Sequence, residues 1–197
     1  IDAYTEIKGF FDELSDNVLL FLTNIQTIEW QVINRSLFYR ITKKLKDGFV
    51  EIKNTQKKTS QWLLFTKKIK KPEIKKPLTL SIAFRFDKKK GILPITGDVS
   101  IFFPAKKEKS NLKFHIDAPF SSTVARDSIV DSAENDEMME GIVALCRESI
   151  SKIRDQGLLT PTFFEVLPNA EDELDDFYNL IFEGLIDEFS SSDNKLM

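Results

Sequence analysis

The alternation of apolar and polar positions divides the chain into a strand-rich first part and a helical second part. Ile28, Trp30 and Val32 alternate with polar neighbours, and this period of two recurs in later runs as far as Phe120. A period of two is the pattern of a half-buried β-strand. It predicts six or seven antiparallel strands before residue 121, over 28–32, 37–41, 49–53, 61–67, 78–87, 99–103 and 112–120.

Helical periodicity governs both ends of the chain. Near the start, Ile7, Phe10 and Leu14 follow an i, i+3, i+7 spacing that predicts a helix over 4–23, with Ser15-Asp16 capping its second part. After Arg126 the same kind of spacing returns. It predicts a long helix capped by Asn135 and ending near Gly157, a short helix opening at Thr160-Pro161, and a last helix capped by Asn169.

Strands followed by helices predict an α+β fold, in which the C-terminal helices cover one face of a largely antiparallel sheet. We expect a helix and sheet portion over 1–130 and a helical portion over 131–197, packed as one compact domain. The first residue is Ile1 and not methionine, so we also expect the chain to be a fragment of a longer protein.

The stretch 99–129 holds the best candidate binding residues. Its two predicted strands are joined by Pro104 and a lysine-rich loop, which together indicate a turn. The second strand predicts an apolar face and a polar face, the apolar one formed by Leu112, Phe114 and Ile116 and the polar one by Lys113, His115 and Asp117.

Directly after the second strand, Ser121, Ser122 and Thr123 bring three hydroxyls and three backbone amides close to Arg126. Hydroxyls, amides and a guanidinium are the groups that bind an anion. Solvated loops often have the same composition. Composition by itself therefore favours an ordinary exposed loop over an anion site.

The overall composition is that of a soluble globular protein. Of the 197 residues, 42% are hydrophobic and 17 are Phe, which is enough for an ordinary buried core. The longest wholly apolar run covers 18–22, far short of the roughly 20 residues that span a bilayer, so we expect no membrane association. The single cysteine, Cys146, lies in an apolar helical pattern and is interpreted as a packing residue in a reducing, cytoplasmic compartment.

The small net charge of −3 hides a strong segregation of charge along the chain. Residues 35–113 contain 22 Lys and Arg against 6 Asp and Glu, a net of +16, whereas 114–197 contain 5 against 19, a net of −14. The basic part can attract phosphates or nucleic acid, or it can pair with an acidic surface. A solvated lysine-rich sheet face is the commonest case.

The common catalytic and metal-binding patterns are missing from the sequence. One histidine and one cysteine cannot supply a zinc or haem site, so we expect no metal. A Ser-His-Asp triad would have to use His115, which has no nucleophile motif near it. Neither of the two common glycine-rich phosphate loops occurs, and the carboxylates of 171–176 are interpreted as the solvated start of a helix.

Three segments resemble the region that follows the ATP-binding domain in sacsin-like proteins. They are LLFLTNIQTIEW, SQWLLFTKKI and SIFFPAKKEKSNLKFHIDAPFSSTVARDSI. Sacsin-like proteins belong to the GHKL superfamily, with the ninety-kilodalton heat-shock chaperone and the ATPase of gyrase. The resemblance covers most of residues 14–167.

The resemblance implies a non-catalytic middle, or transducer-like, domain that couples the ATP state of an upstream ATP-binding domain to conformational change or partner binding. ATP and Mg²⁺ would belong to that upstream domain, whose D-x-G-x-G loop is not in this sequence, and this chain would hold no cofactor. Besides the upstream domain, a second copy of the chain is left open as a partner.

In such proteins the middle domain typically lends a basic residue to the γ-phosphate of the nucleotide. The resemblance assigns that role to Arg126, because it follows the final strand, with Ser122 and Thr123 as hydrogen-bond donors beside it. A guanidinium suits the role because it can pair two phosphate oxygens and stays charged. The alternative for Arg126 is a structural ion pair with Asp127 or Asp131.

Two other functions remain open at this stage. The basic strands could bind nucleic acid, with Trp30, Trp62 or Tyr39 as stacking surfaces, although alternating strand positions are more typical of a core. The acidic helices could instead dock a partner protein, which would make the chain an adaptor.

Overall fold

The computed structural model of the protein describes Thr5, Gly9 and residues 15–31, 38–46, 48–72 and 74–190. The chain divides into two compact units, Ile1–Ser60 and Gln61–Met197. The architecture is α+β, which confirms the predicted fold class: strands occupy the chain up to residue 117 and long helices follow from residue 133. The boundary between the units falls inside a strand, β4 (Thr59–Ile69).

The described part of the first unit is an antiparallel meander preceded by a 3₁₀ helix. The helix covers Asp16–Leu19, and the strands are β1 (Thr27–Gln31), β2 (Phe38–Lys46) and β3 (Phe49–Asn54). The turn between β2 and β3 contains Gly48 at φ 81°, a conformation that glycine adopts without strain. Each strand pairs with the next in sequence.

The apolar side chains of this unit pack between the 3₁₀ helix and the strands. Leu19, Ile41 and Ile52 are each at most 1% exposed. The side chain of Ser15 caps the helix by accepting the N–H of Asn17 at 3.2 Å, as predicted. The greater part of the predicted helix over 4–23 lies outside the described residues.

The sheet of the second unit is built on β5 (Leu78–Asp87), whose bounds agree with the prediction. β4 pairs with β5 on one side. On the other side, two strands pair with successive parts of β5: β6 (Gly91–Leu93) with 85–87 and β9 (His115–Asp117) with 81–83. β7 (Val99–Ile101) continues the sheet beside β9, and β8 (Phe103–Pro104) pairs with β7.

Three helices follow: α1 (Ala133–Asp155), α2 (Pro161–Phe164) and α3 (Asp176–Ser190). α1 crosses β4 and β5 at Gly141, where an added Cβ would lie 2.4 Å from a methyl carbon of Leu80. α3 crosses α1 at Gly184, whose carbonyl accepts the Nε–H of Arg147 at 2.8 Å. No helix in the described part of the chain is long and apolar enough to cross a membrane.

Aromatic side chains fill the space between this sheet and the helices. The ring of Phe84 lies 4.9 Å from that of Phe114 and 6.1 Å from that of Phe163 on α2. Around them, Leu80 and Ile82 of β5 are fully buried. Removing this apolar surface from water is the main force that holds the helices on the sheet.

The predicted antiparallel arrangement is wrong for one pair of strands, because β7 and β9 are parallel. Parallel neighbours need a connection that returns the chain to its starting end. Residues 105–114, interpreted as a turn and the first part of a strand, form that connection. The strand predicted over 112–120 shrinks to β9, and that over 99–103 divides at Phe102 into β7 and β8.

The predicted polar face of 112–120 is also wrong. His115 is 3% exposed and Asp117 is 8% exposed, so both faces of β9 are buried. The ring of Trp62 packs against His115, and the backbone N–H of Phe102 donates to the carboxylate of Asp117. The polar residues of β9 are therefore buried together with its apolar ones.

Two predicted helix caps are wrong as well. α1 is capped by Ser132, whose hydroxyl accepts the N–H of Asn135, so Asn135 lies inside the first turn. At the start of α3, the carboxylate of Asp175 accepts the N–H of Tyr178 at 3.1 Å. Asn169 instead accepts the N–H of Glu171 in the preceding turn.

Candidate functional site

Residues 121–130, named the Arg126 hairpin below, form a short antiparallel hairpin between β9 and α1. Ser122 and Ile129 form a β-bridge, and the N–H of Val130 donates to the carbonyl of Ser121 at 3.1 Å. Above the bridge, the N–H of Thr123 donates to the carbonyl of Ser128 at 3.1 Å. These bonds close a loop of six residues, 123–128.

The base of the hairpin is fastened by Asn135. Its Oδ1 accepts the N–H of Ser121 at 2.7 Å, and its Nδ2 donates to the carbonyls of Ser121 at 2.8 Å and Val130 at 2.6 Å. Asn135 is 1% exposed and lies in the first turn of α1. One buried amide therefore joins both ends of the hairpin to the helix, and a buried amide bonded on all sides is costly to displace.

The tip of the hairpin projects two side chains into solvent. The N–H of Arg126 donates to the carbonyl of Thr123 at 2.9 Å, which closes a turn, and Arg126 itself has φ 55°. Val124, one position into the turn, is completely exposed, and the Arg126 side chain is also exposed. An arginine at positive φ is uncommon and marks a backbone position that its surroundings impose.

The carboxylate of Asp127, next to Arg126, is occupied by other groups. One oxygen accepts the hydroxyl of Thr123 at 2.8 Å, and the other lies 2.7 Å from the Nζ of Lys107. These hydrogen bonds, that of Lys107 first, hold the pKa of Asp127 below its ordinary value. The negative charge beside Arg126 is thus already balanced by a lysine.

The loop before β9 supports the hairpin from the side. The N–H of Lys107 donates to the carbonyl of Asp127 at 2.8 Å. The two carboxylate oxygens of Glu108 accept the N–H of Ile129 and the hydroxyl of Tyr178, each at 2.8 Å. Burial and the Glu108 hydrogen bond raise the pKa of Tyr178, so it remains a donor.

A cavity of about 210 Å³ lies beside the base of the hairpin. Its lining is strongly acidic, and Phe177 forms part of its wall. Carboxylates repel an anion, so this cavity is a poor place for a phosphate. The carboxylates of the lining belong to Glu108, Asp131, Asp136 and Asp175.

The three residues singled out from sequence therefore have different surroundings. Arg126 is exposed at the tip, Ser122 is half-buried at the bridge, and the Thr123 hydroxyl donates to Asp127. Within the described residues, the alternative ion pair of Arg126 with Asp127 or Asp131 is not found. Asp127 pairs with Lys107 instead.

The other polar side chains considered from sequence are buried. His115 accepts the N–H of Asp98 at its Nδ1, 2.8 Å away, and burial lowers its pKa. The thiol of Cys146 is inside α1, where burial raises its pKa to about 12, in agreement with a packing role. Within the described residues no group of three or more His, Cys, Asp or Glu is arranged to hold a metal ion.

The aromatic residues named as nucleic-acid stacking surfaces are placed differently from one another. Trp62 is 3% exposed, and its ring packs against His115 at 5.0 Å, so it offers no surface for a base. Trp30 and Tyr39 are half-buried, with ring centroids 4.5 Å apart. The stacking role is wrong for Trp62.

Sequence reasoning misses the residues that hold the hairpin in place. The pattern along the chain makes Asn135 a helix cap and Glu108 one charge in a lysine-rich loop. The bonds of both residues depend on elements distant in sequence: Asn135 bonds residues five and fourteen positions before it, and Glu108 bonds Tyr178, 70 positions later. A pattern along the chain carries no signal for such pairs.

Comparisons with known proteins do not add to this description, since no protein-family model, curated protein or solved structure matches the chain.

Proposed function

We propose that this chain is a non-catalytic coupling module that presents Arg126 to the phosphates of a nucleotide bound by another domain of the same protein. The hairpin would transmit the presence or absence of the terminal phosphate to α1 through Asn135. The observation that carries the proposal is an exposed guanidinium on a hairpin whose base is fastened to a long helix.

The first support is mechanical. A residue that senses a phosphate must be accessible, yet its backbone must be held so that contact is transmitted. The Arg126 side chain is exposed, while Ser121 and Val130 are held by three hydrogen bonds from one buried amide. A displacement at the tip therefore acts directly on the first turn of α1.

The second support is electrostatic. A guanidinium can bind two oxygens of one phosphate at once, and its attraction is lost when a carboxylate already occupies it. Asp127 is the nearest carboxylate in sequence, and it is engaged by Lys107 and Thr123. The Thr123 hydroxyl would join a phosphate contact only if it left Asp127, so the first contact would be made by the guanidinium of Arg126.

The nucleotide in this proposal comes from the resemblance to sacsin-like GHKL proteins. On that basis the preceding domain holds ATP and Mg²⁺, and Arg126 reaches the γ-phosphate, whereas Ser122 is half-buried at the bridge of the hairpin. The partner of the hairpin is then the ATP-binding domain of the same protein.

The test measures ATP turnover by the full-length protein and by this chain alone. We expect the chain alone to hydrolyse no ATP. In the full-length protein, Arg126→Ala should lower turnover about tenfold or more, and Arg126→Lys should recover part of it because lysine keeps the charge and loses the fork geometry.

Arg154→Ala is the matched control, because Arg154 is another partly exposed arginine, at the end of α1, and pairs with its neighbour Asp155. It should leave turnover unchanged. Hydrolysis by the chain alone, or equal turnover of the Arg126→Ala and native full-length proteins, would overturn the proposal.

A further inference from the structure

An apolar surface on α2 and α3 is partly exposed, with Phe164 and Ile186 exposed and two further Phe side chains half-buried. It consists of Phe164, Phe182, Ile186 and Phe189 and is named the Phe164 surface below. Phe182, Ile186 and Phe189 follow an i, i+4, i+7 spacing, which places them on one side of α3. The ring of Phe164 lies 6.3 Å from that of Phe189, so the end of α2 extends the same surface.

This surface lies beside the side of α3 that forms the core. Tyr178 and Ile181 are fully buried and Leu185 is 4% exposed, and these three explain why α3 packs on the unit. In contrast, Phe164 is 53% exposed and Ile186 is 46% exposed. The apolar stripe of α3 thus extends beyond its packed side to Ile186, and exposed apolar surfaces often bind a partner.

The segment that carries the Phe164 surface is strongly acidic. Residues 158–190 contain nine Asp and Glu and no Lys or Arg, a formal charge of −9. Part of this charge is offset by ion pairs with basic groups outside the segment, such as Asp172 with Lys113 and Asp187 with Arg147.

Two exposed carboxylates lie near these apolar side chains. Glu183 is three positions before Ile186 on α3, the spacing that places helical side chains next to each other, and Glu165 follows Phe164 in sequence. An apolar strip with an acidic border attracts a strip of opposite charge pattern, in which apolar residues are bordered by Lys and Arg.

We propose that the Phe164 surface binds a basic amphipathic helix of a partner protein. The three α3 side chains extend over two helical turns, roughly 10 Å, which matches the apolar stripe of one docked helix. Lysine or arginine residues beside that stripe would face Glu165 and Glu183.

Charge argues against the other occupants. A symmetric pair of this chain would place two segments of charge −9 against each other, because a two-fold interface joins the same patch on both copies. An anionic membrane surface would be repelled by the negative charge of this segment. The basic helix is the occupant that satisfies both the apolar and the acidic parts of the surface.

The experiment uses a synthetic peptide of about 14 residues, four helical turns, with Leu on one helical side and Lys on the other. A second peptide replaces every Lys by Glu. We expect the Lys/Leu peptide to bind saturably at one copy per chain, by fluorescence anisotropy, with affinity that falls as salt rises, and the Glu/Leu peptide to bind about tenfold more weakly or less.

Variants locate the binding site. Ile186→Lys and Phe164→Asp should each weaken binding about tenfold, since each places a polar group in the contact, whereas Ile186→Leu should bind like the native chain. Glu183→Gln, which removes charge from an exposed position, should weaken binding and reduce its salt dependence. The melting temperature of each variant separates lost binding from lost folding.

Leu45→Lys is the matched control, because Leu45 is 79% exposed in the first unit. It should bind the peptide as the native chain does. Arg126→Ala should also leave binding unchanged, since the Phe164 surface does not include the hairpin, and this separates the proposal from the one above.

Three results would overturn the inference. The first is equal binding of the Lys/Leu and Glu/Leu peptides, and the second is undiminished binding by a folded Ile186→Lys variant. The third is a concentration-dependent dimer in sedimentation that Ile186→Lys abolishes, because the occupant would then be a second copy of the chain.

Discussion

The carboxylate of Asp117 accepts the backbone N–H of Phe102 at 3.2 Å, and Phe102 has φ 70°. Asp117 is 8% exposed, and the register places it opposite Ser81 of β5 and Ser100 of β7. A buried acid thus holds the left-handed residue at which the chain turns from β7 to β8. Burial raises the pKa of Asp117 to about 7.

We expect Asp117 to make the stability of the protein depend on pH. Its pKa rises from 3.8 unfolded to about 7 folded, so the folded state binds more protons between these values. The stability from this group is fully present below about pH 4 and is lost as pH rises through 7. Three pKa units correspond to about 4 kcal/mol as an upper limit.

Urea unfolding between pH 4 and 8 checks this prediction when the native chain is compared with Asp117→Asn. The variant keeps an oxygen for the Phe102 N–H and cannot ionise, so it should become the more stable of the two as pH rises. Parallel pH profiles for the two proteins would contradict the assigned pKa.

Phe102→Gly should stabilise the protein. Phenylalanine at φ 70° is strained, glycine is not, and Phe102 is 56% exposed, so little packing is lost. The net gain should be about 1 kcal/mol in the free energy of unfolding, measured by urea denaturation. Phe103→Gly is the control: Phe103 is 53% exposed, has no positive φ and lies in β8, where glycine should destabilise.

Asn135→Ala should release the Arg126 hairpin. It removes the three hydrogen bonds that a buried side-chain amide makes to the backbone of Ser121 and Val130, at a cost of about 2–4 kcal/mol. Amide hydrogen exchange should accelerate most at Ser121 and Val130. Asn179→Ala is the control, because it removes a half-buried amide that bonds Glu183 in its own helix, and it should cost under about 1 kcal/mol. Equal losses of stability in both variants would contradict the fastening of the hairpin by Asn135.

Gly97→Ala should be much more damaging than Gly157→Ala. A Cβ on Gly97 would lie 2.2 Å from the carbonyl oxygen of Phe114, and buried backbone atoms cannot move aside cheaply. We expect a loss of about 3 kcal/mol or more. Gly157 has φ 69° and open space around it, so alanine there costs only backbone strain, about 1 kcal/mol. Thermal unfolding of both variants checks this prediction. Similar losses of stability in the two variants would contradict the close contact between Gly97 and Phe114.

The success of the strand predictions depends on whether the ends of a strand are marked by nearby residues. The bounds of β5 can be predicted to the residue, because its period of two is long and is followed by the Lys88–Lys90 turn. The bounds of β9 are wrong, because the extent of this strand is set by its pairing with β5 and β7, and the alternation at His115 and Asp117 marks no solvent-facing side since both residues are buried.

The predictions of helix ends also differ in their success. Thr160-Pro161 can be recognised as a helix start, because a capping hydroxyl followed by proline acts within a few residues. Asn135 cannot be assigned correctly, because Ser132 competes for the same local role and the amide of Asn135 is used by the hairpin. A helix cap can be predicted from neighbouring residues only where no residue distant in sequence bonds the same atoms.

Composition and short-range periodicity are enough to predict the α+β class, the long β5 and α1 elements, the burial of Cys146 and the charge contrast between the two parts of the chain. Four features come from contacts between distant segments: the parallel pairing of β7 with β9, the burial of Asp117, the fastening of the Arg126 hairpin by Asn135 and the exposure of Phe164 beside the buried Phe163. Each of these features depends on which segments are in contact, and the free energy of those contacts is shared among residues that are far apart along the chain.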